Sequence, residues 1–186
     1  AIIERGDHLL APNQTLMIFP LDYYEERLGP LYLAAAAPDV TEVSPEPIVT
    51  ASDLAAAGLN GIDFDLENGV LIRAVETEWV SPNAIMLTEY WQAQAGADAD
   101  YSVAVHLVAQ DPPQSEADIL DQDDRVAPVN NWYPPSRWRP DEIVRDRYLV
   151  TVPEGSSPAG LRVGMYRSDP EAGFVNTPWL SLPLPR

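Results

Sequence analysis

The stretch Tyr101-Ser102-Val103-Ala104-Val105-His106-Leu107-Val108 decides the fold. Its apolar side chains recur at every second position, which is the period of a β-strand that buries one face. The same period recurs in three further stretches, at residues 75–79, 147–152 and 161–166. Turn clusters rich in Pro, Gly, Asp and Ser separate these stretches, without a helical pattern between them. The sequence therefore predicts an antiparallel β-sandwich or jelly roll over residues 61–186.

Residues 1–60 alternate short apolar runs with helical signals. A helix is predicted over residues 22–28, where Gly29-Pro30 ends it. A second helix is predicted over residues 53–57, with Ser52 as its N-cap. The apolar runs lie at residues 8–11, 16–19 and 31–33. We therefore predict a small α/β segment that precedes the sandwich, in a protein that is mainly β.

Composition and charge exclude several classes of function. The chain has 186 residues, with 11 Lys and Arg against 29 Asp and Glu, and a formal net charge of −18. Because nucleic acid and anionic lipid are polyanions, this charge argues against both as partners. There is no cysteine, which excludes disulfides, thiolate nucleophiles and cysteine-based metal sites. The longest apolar stretch, Leu31 to Ala37, is far shorter than the ~18 residues that a membrane span needs.

An aromatic, proline-rich loop offers the best candidate ligand surface. Trp132 and Tyr133 lie there, flanked by Asn130, Asn131 and Arg137. Sugars stack on Trp and Tyr rings, while amide and guanidinium groups bind their hydroxyls. The alternative is that the prolines fold these rings over one end of the sandwich, where they would be buried.

Four aspartates just before this loop are a candidate calcium site. They are Asp118, Asp121, Asp123 and Asp124. Calcium takes six to eight oxygen ligands, and several carboxylates in one loop could supply part of that set. The spacing departs from the EF-hand pattern, however, since neither the turn glycine nor the closing glutamate is present. The favoured interpretation is a solvated loop in a protein that is acidic throughout.

No residue pattern indicates a catalytic centre. His106 is interpreted as a packed side chain that contacts a neighbour, and Trp138 as a core residue. Glu76 and Glu78 lie on one strand face about 7 Å apart, which is within the range of a glycosidase carboxylate pair. With 29 acidic residues such pairs arise by chance, so a solvated face is the favoured interpretation. Asn13-Gln14-Thr15 is a formal glycosylation sequon.

An ordered set of patches in the second half of the chain resembles a known kind of domain. The set covers Leu87–Ala93, Asp100–Val108, Gln122-Asp123, Trp138–Glu142, Asp146–Tyr148 and Leu161–Tyr166. In this order they are similar to the C-terminal extracytoplasmic β-sandwich of bacterial polytopic glycosyltransferases of the dolichyl-phosphate-mannose-protein mannosyltransferase type (family 39-like). Residues 6–10 and 22–24 resemble the stretch that follows the last membrane helix of such proteins.

The resemblance implies a carbohydrate-binding-module-like sandwich on the extracytoplasmic face of a bacterial membrane, as part of a larger membrane protein. Glu89 departs from the family pattern, because an apolar residue is usual there, and Asp141 replaces a turn glycine. Nothing in the chain matches the first extracytoplasmic loop, where the family has its catalytic acids. The implied function is a non-catalytic accessory domain that either stabilises the outer face of the parent protein or holds a glycan, a lipid-linked sugar or an acceptor near it. The alternatives are an independent carbohydrate-binding module and a glycosidase with paired carboxylates.

Overall fold

The computed structural model describes residues 2–4, 21–59, 61–94 and 99–186, of which 46% are strand and 15% helix. The helices are α1 (Leu21–Leu28), α2 (Ala51–Ala56) and the single turn α3 (Pro128–Asn131), with 3-10 turns at Glu116–Asp118 and Pro135–Arg137. The strands are β1 (Ile2–Glu4), β2 (Tyr32–Ala37), β3 (Val40–Ser44), β4 (Phe64–Asp65), β5 (Val70–Ser81), β6 (Ala84–Ala93), β7 (Ser102–Val108), β8 (Ile119–Gln122), β9 (Ile143–Thr151), β10 (Gly160–Asp169), β11 (Gly173–Asn176) and β12 (Leu180–Leu182).

Two antiparallel sheets pack face to face in the second half of the chain. The 4-stranded sheet has the order β4-β5-β6-β9, and the 5-stranded sheet has the order β11-β10-β7-β8, with β12 beside β10. Inward side chains of both sheets form one hydrophobic cluster, to which Trp91 and Tyr148 contribute from one sheet and Leu107 and Met165 from the other. The predicted mainly β, antiparallel fold is confirmed. The finer assignment to a jelly roll stays a prediction.

The alternation in the first quoted stretch produces the two faces of β7. Val103, Val105 and Leu107 are fully buried between the sheets, while His106 lies on the opposite face and is partly exposed. The stretch at residues 75–79 also forms a strand, as part of β5. Trp79 lies near the end of that strand, where it is 40% exposed and its indole Nε1 donates to the carbonyl oxygen of Pro185 (3.0 Å).

The N-terminal segment covers the outer face of the 4-stranded sheet. Val49 and Leu54 pack against Tyr90 and Ile143 in a second hydrophobic cluster. The outer face of the 5-stranded sheet, in contrast, keeps exposed side chains, including Gln122, Phe174 and Asn176. The fold therefore leaves one sheet face with side chains that can meet a ligand.

β1, β3 and β2 form a small antiparallel sheet that lies against β9. Arg145 Nε donates to the carbonyl oxygen of Ala35 across this contact (2.9 Å). α2 begins two residues earlier than the sequence predicts, because Thr50, not Ser52, is its N-cap. Thr50 and Asp53 form a reciprocal capping box, which a threonine three residues before an aspartate allows. The division at residue 60 stays a prediction, since both segments contribute to one core.

Removal of residues 1–60 is expected to destabilise the sandwich. Burial of a Val or Leu side chain contributes about 1.5–3 kcal/mol. Loss of Val49 and Leu54, with exposure of Tyr90 and Ile143, therefore predicts a fall in the free energy of unfolding of at least ~3 kcal/mol. Urea denaturation of the full chain and of residues 61–186 would measure it. Equal unfolding midpoints would contradict the prediction.

Some sequence-based predictions lie outside the described residues. They are the apolar runs at residues 8–11 and 16–19, the sequon at residues 13–15 and the family-like residues 6–10. Within the part of the chain that the structure describes, no helix is long and apolar enough to cross a membrane.

Candidate functional site

The aromatic loop divides into buried and exposed residues. Tyr133 is fully buried, and its hydroxyl donates to the Glu142 carboxylate (2.9 Å). Burial, with the neighbouring negative charge of Glu142, raises the pKa of Tyr133. Trp138 is 4% exposed, and its Nε1 donates to the carbonyl oxygen of Tyr133 (3.0 Å). Trp132 remains 36% exposed. Tyr133 therefore has a packing role in this structure, as the alternative interpretation of the loop expects.

The polar residues that flank these rings also have partners within the protein. Asn130 is buried, accepts from Arg125 (3.1 Å) and donates to Thr41 (3.1 Å). Arg137 forms ion pairs with acidic residues of α1. Asn131 is partly buried, and its side-chain oxygen accepts from the backbone N–H of residue 127. The five residues of the predicted ligand surface are thus not gathered on one exposed face.

The four aspartates of the predicted calcium site point to different partners. Asp118 accepts from the Gln110 amide and from backbone N–H groups, and these hydrogen bonds lower its pKa. Asp121 accepts from the backbone N–H of Thr151, Asp123 pairs with Arg125 (2.8 Å), and Asp124 pairs with His106 (3.2 Å). Among the residues that the structure describes, no group of three or more acidic or histidine side chains could hold a metal ion.

The Glu76–Glu78 pair lies on β5. A carboxylate oxygen of Glu76 accepts from the Tyr90 hydroxyl (2.7 Å). Burial of Tyr90, with this hydrogen bond, raises the pKa of its hydroxyl to about 12. Glu78 is exposed. The arrangement is therefore that of a strand surface with one structural hydrogen bond.

His106 lines a groove that is not one of the sites predicted above. Its side chain is 15% exposed, and its Nε2 lies 3.2 Å from a carboxylate oxygen of Asp124. The two atoms do not form a hydrogen bond, and the contact is an ion pair only when the imidazole is protonated. The imidazole also packs against the Trp179 ring, with 5.1 Å between the ring centroids. His106 has the packed position that the sequence predicts, but its neighbours line an open groove.

The groove lies on the outer face of the 5-stranded sheet and has a volume of about 510 Å³. Strand register assembles it: Gly164 of β10 pairs with Ala104 of β7, and Tyr166 of β10 pairs with Asn176 of β11. Since every second residue of a strand points outward, one face receives side chains from four strands. The lining residues include Ala104, His106, Tyr166, Phe174, Asn176 and Trp179.

Trp179 forms the floor of this groove because residue 164 is a glycine. A Cβ atom at Gly164 would lie 3.0 Å from the Trp179 ring, so the indole packs directly on the backbone of β10. The Arg162 guanidinium lies 5.1 Å from the centroid of the same ring. Tyr166 and Phe174 form an edge-to-face pair at 5.6 Å, and Phe174 is 71% exposed. Three aromatic rings thus lie along one open surface.

Polar side chains complete the lining. Gln122 and Asn176 supply amide groups, and Glu116 and Asp124 supply carboxylates. Flat apolar rings beside hydrogen-bonding groups match the two kinds of surface that a sugar presents, its C–H face and its hydroxyls. The geometry therefore suits a polar ring-shaped ligand bound in an open groove.

The groove could not be predicted from the sequence, because its lining residues are distant along the chain. The period-two pattern does predict that Gly164 and Tyr166 lie on the outer face of their strand. The position of Trp179 over Gly164 cannot be predicted in this way, because it depends on the pairing of β12 with β10.

In comparisons with family models, with curated proteins and with solved structures, the chain matched none.

Proposed function

We propose that this chain is a non-catalytic domain that holds a glycan in the groove on its 5-stranded sheet. The observation that carries the proposal is the lining of the groove: Trp179 lies flat over Gly164, with Tyr166 and Phe174 beside it and amides within the same cavity. This surface combines stacking platforms with hydrogen-bonding groups. An open cleft of this kind can accept a chain of sugars without enclosing it.

The resemblance to glycosyltransferase outer domains suggests where such a domain works. We propose that it is the extracytoplasmic part of a glycosyltransferase-like membrane protein, where it holds a glycan, a lipid-linked sugar or an acceptor. The backbone conformation of Asp141 is compatible with the resemblance. Asp141, which stands where the family has a turn glycine, has a φ of +63°, the left-handed conformation that glycine favours and aspartate tolerates. An independent carbohydrate-binding module would use the same groove.

A glycan-array screen of the wild-type chain tests the proposal. We expect specific binding that a Trp179→Ala variant weakens by about tenfold or more, equivalent to ~1.4 kcal/mol, since stacking on the indole is lost. Trp132→Ala is the matched control, because Trp132 is a half-exposed tryptophan away from the groove, and it should bind like the wild type. Calcium and a chelator should make no difference, since the acidic loop has protein partners.

A Gly164→Ala variant tests the same site without removal of an aromatic ring. The added methyl group would lie 3.0–3.4 Å from three atoms of the Trp179 ring and would push the ring outward. We expect weaker glycan binding with the indole still present. No binding by the wild-type chain to any glycan, or binding that is lost in Trp132→Ala but kept in Trp179→Ala, would overturn the proposal.

A further inference from the structure

We infer that the groove selects saccharides that carry a positively charged amine over neutral or anionic ones. This inference rests on the proposed glycan-binding function and specifies its ligand class. Its basis is the balance of charge in and beside the groove, together with the aromatic floor. Both features act on the same bound sugar.

The carboxylates of the groove are not fully balanced by cations. Glu116 lines the groove, is exposed, and forms no ion pair within the described part of the chain. Asp124 lines it too, and among the described residues it pairs with the imidazole of His106, which is a cation only when it is protonated. The Arg162 guanidinium lies over the Trp179 ring, but its Nε is 3.1 Å from a carboxylate oxygen of Asp111, which balances its charge. The site thus presents uncompensated negative charge to a ligand.

The charge of the whole molecule acts in the same direction. A formal net charge of −18 repels anionic ligands and attracts cations within about one Debye length of the surface. A uronic acid or a sulfated sugar would bring a like charge into a groove that already holds two carboxylates. A protonated amino sugar would form ion pairs there.

The aromatic floor strengthens this preference. A cation within about 6 Å of a Trp face is attracted by the negative face of the ring. Arg162 already occupies such a position at 5.1 Å from the ring centroid of Trp179. An amine on a sugar stacked over this ring would combine a cation–π contact with an ion pair to Asp124 or Glu116. A metal ion does not fit the same features, since these carboxylates do not form a cluster of three.

Calorimetric titration with short matched oligosaccharides tests the inference. The probes are a glucosamine trimer, the corresponding N-acetylglucosamine trimer and a galacturonic acid trimer, each at low salt and at ~0.3 M salt. We expect the glucosamine trimer to bind about tenfold more tightly than the N-acetylated one, since two exposed ion pairs contribute up to ~1 kcal/mol each. The preference should decrease at the higher salt concentration.

Three variants separate local from general electrostatics. A Glu116→Gln/Asp124→Asn variant should reduce the preference to about threefold or less. A Glu154→Gln/Glu171→Gln variant changes the net charge equally at exposed positions outside the lining and should keep it. Trp179→Ala should abolish binding of the amine-bearing trimer, whereas adventitious attraction of a cation to an acidic surface would survive it.

The outcomes distinguish the inference from the proposed function. Equal affinity for amine-bearing and neutral trimers, with both lost in Trp179→Ala, would overturn the inference and leave glycan binding in place. Tighter binding of the galacturonic acid trimer, or amine binding that Trp179→Ala does not weaken, would also overturn the inference. A wild-type chain that binds no glycan at all would overturn both.

Discussion

A Glu89→Met variant should be more stable than the wild-type protein at pH 8, by about 1–3 kcal/mol. Glu89 is fully buried in β6, and neither carboxylate oxygen has a hydrogen-bond partner among the described residues. A buried polar group without a partner keeps the full cost of its lost hydration. Methionine fills a similar volume with an unbranched apolar side chain.

The effect should depend on pH in a defined direction. Burial, together with the negative charge of Asp146, raises the pKa of the Glu89 carboxyl well above its ordinary value of 4.5. In the unfolded chain this carboxyl loses its proton near pH 4.5, while the folded chain retains it. Above that pH the folded state binds more protons than the unfolded state, so the free energy of unfolding decreases as pH rises towards the folded pKa.

Urea denaturation of the wild type and of Glu89→Gln at several pH values would measure this slope. Glutamine has the same shape but cannot ionise, so the stability of Glu89→Gln relative to the wild type should increase between pH 5 and pH 8. Glu78→Gln is the control, because Glu78 is exposed on the neighbouring strand and its substitution should change stability by less than ~0.5 kcal/mol. A difference between Glu89→Gln and the wild type that does not change with pH would contradict the prediction.

The strands of the sandwich follow from local sequence because burial of one sheet face imposes a period of two. This is why the stretch at residues 101–108 predicts β7, and why Glu89 can be assigned to the same face as Leu87 and Trp91, where all three are buried. The second helix is also local, but its start depends on a choice between two hydroxyl side chains. Thr50 is the cap because Asp53 lies three residues later and completes the capping box.

The candidate site depends on long-range pairing, and that is where sequence reasoning ends. An exposed and a buried aromatic ring look alike in a proline-rich loop, so the loop pattern alone does not separate Trp132 from the fully buried Tyr133. The buried Tyr133 hydroxyl has a hydrogen-bond acceptor only because Glu142, immediately before β9, lies beside it in the fold. Trp179 likewise lies on the sheet only because Gly164 of β10 leaves room for its ring. The chain returns to β10 after β11, where β12 pairs with it.

An Arg125→Met variant should lose about 3–5 kcal/mol of stability, the usual effect of breaking a buried ion pair by removal of one partner. The Arg125 side chain is 5% exposed and lies 3.4 Å from Asp146, which is fully buried. Its guanidinium also donates to Asp123 and lies 4.3 Å from the centroid of the Tyr148 ring. Without Arg125, Asp146 would remain as an uncompensated buried charge.

The same substitution should loosen the turn at α3. Val129 has a φ of +54°, a left-handed conformation that is costly for a β-branched residue. The turn is held because the Val129 N–H donates to Asp146 (2.8 Å), and the neighbouring Asn130 accepts from Arg125 (3.1 Å). Arg125 therefore stabilises both the buried carboxylate and the strained backbone beside it. Faster hydrogen exchange at residues 129–131 in Arg125→Met would report this second effect.

Denaturation of Arg125→Met, Asp146→Asn and the double variant at pH 5 and pH 8 would test the electrostatic part. Burial raises the pKa of Asp146, and Arg125 opposes that shift. Loss of Arg125 raises this pKa further, so the folded variant retains the Asp146 proton to a higher pH than the folded wild type does. The loss of stability caused by Arg125→Met should therefore increase with pH.

The double variant has no uncompensated charge at position 146. Its loss of stability should therefore be smaller than the sum of the losses in the two single variants. Arg27→Met on exposed α1 is the matched control, with a change below ~0.5 kcal/mol. A loss below ~1 kcal/mol in Arg125→Met, or additive losses in the double variant, would show that the pair is not what holds this side of the sandwich together.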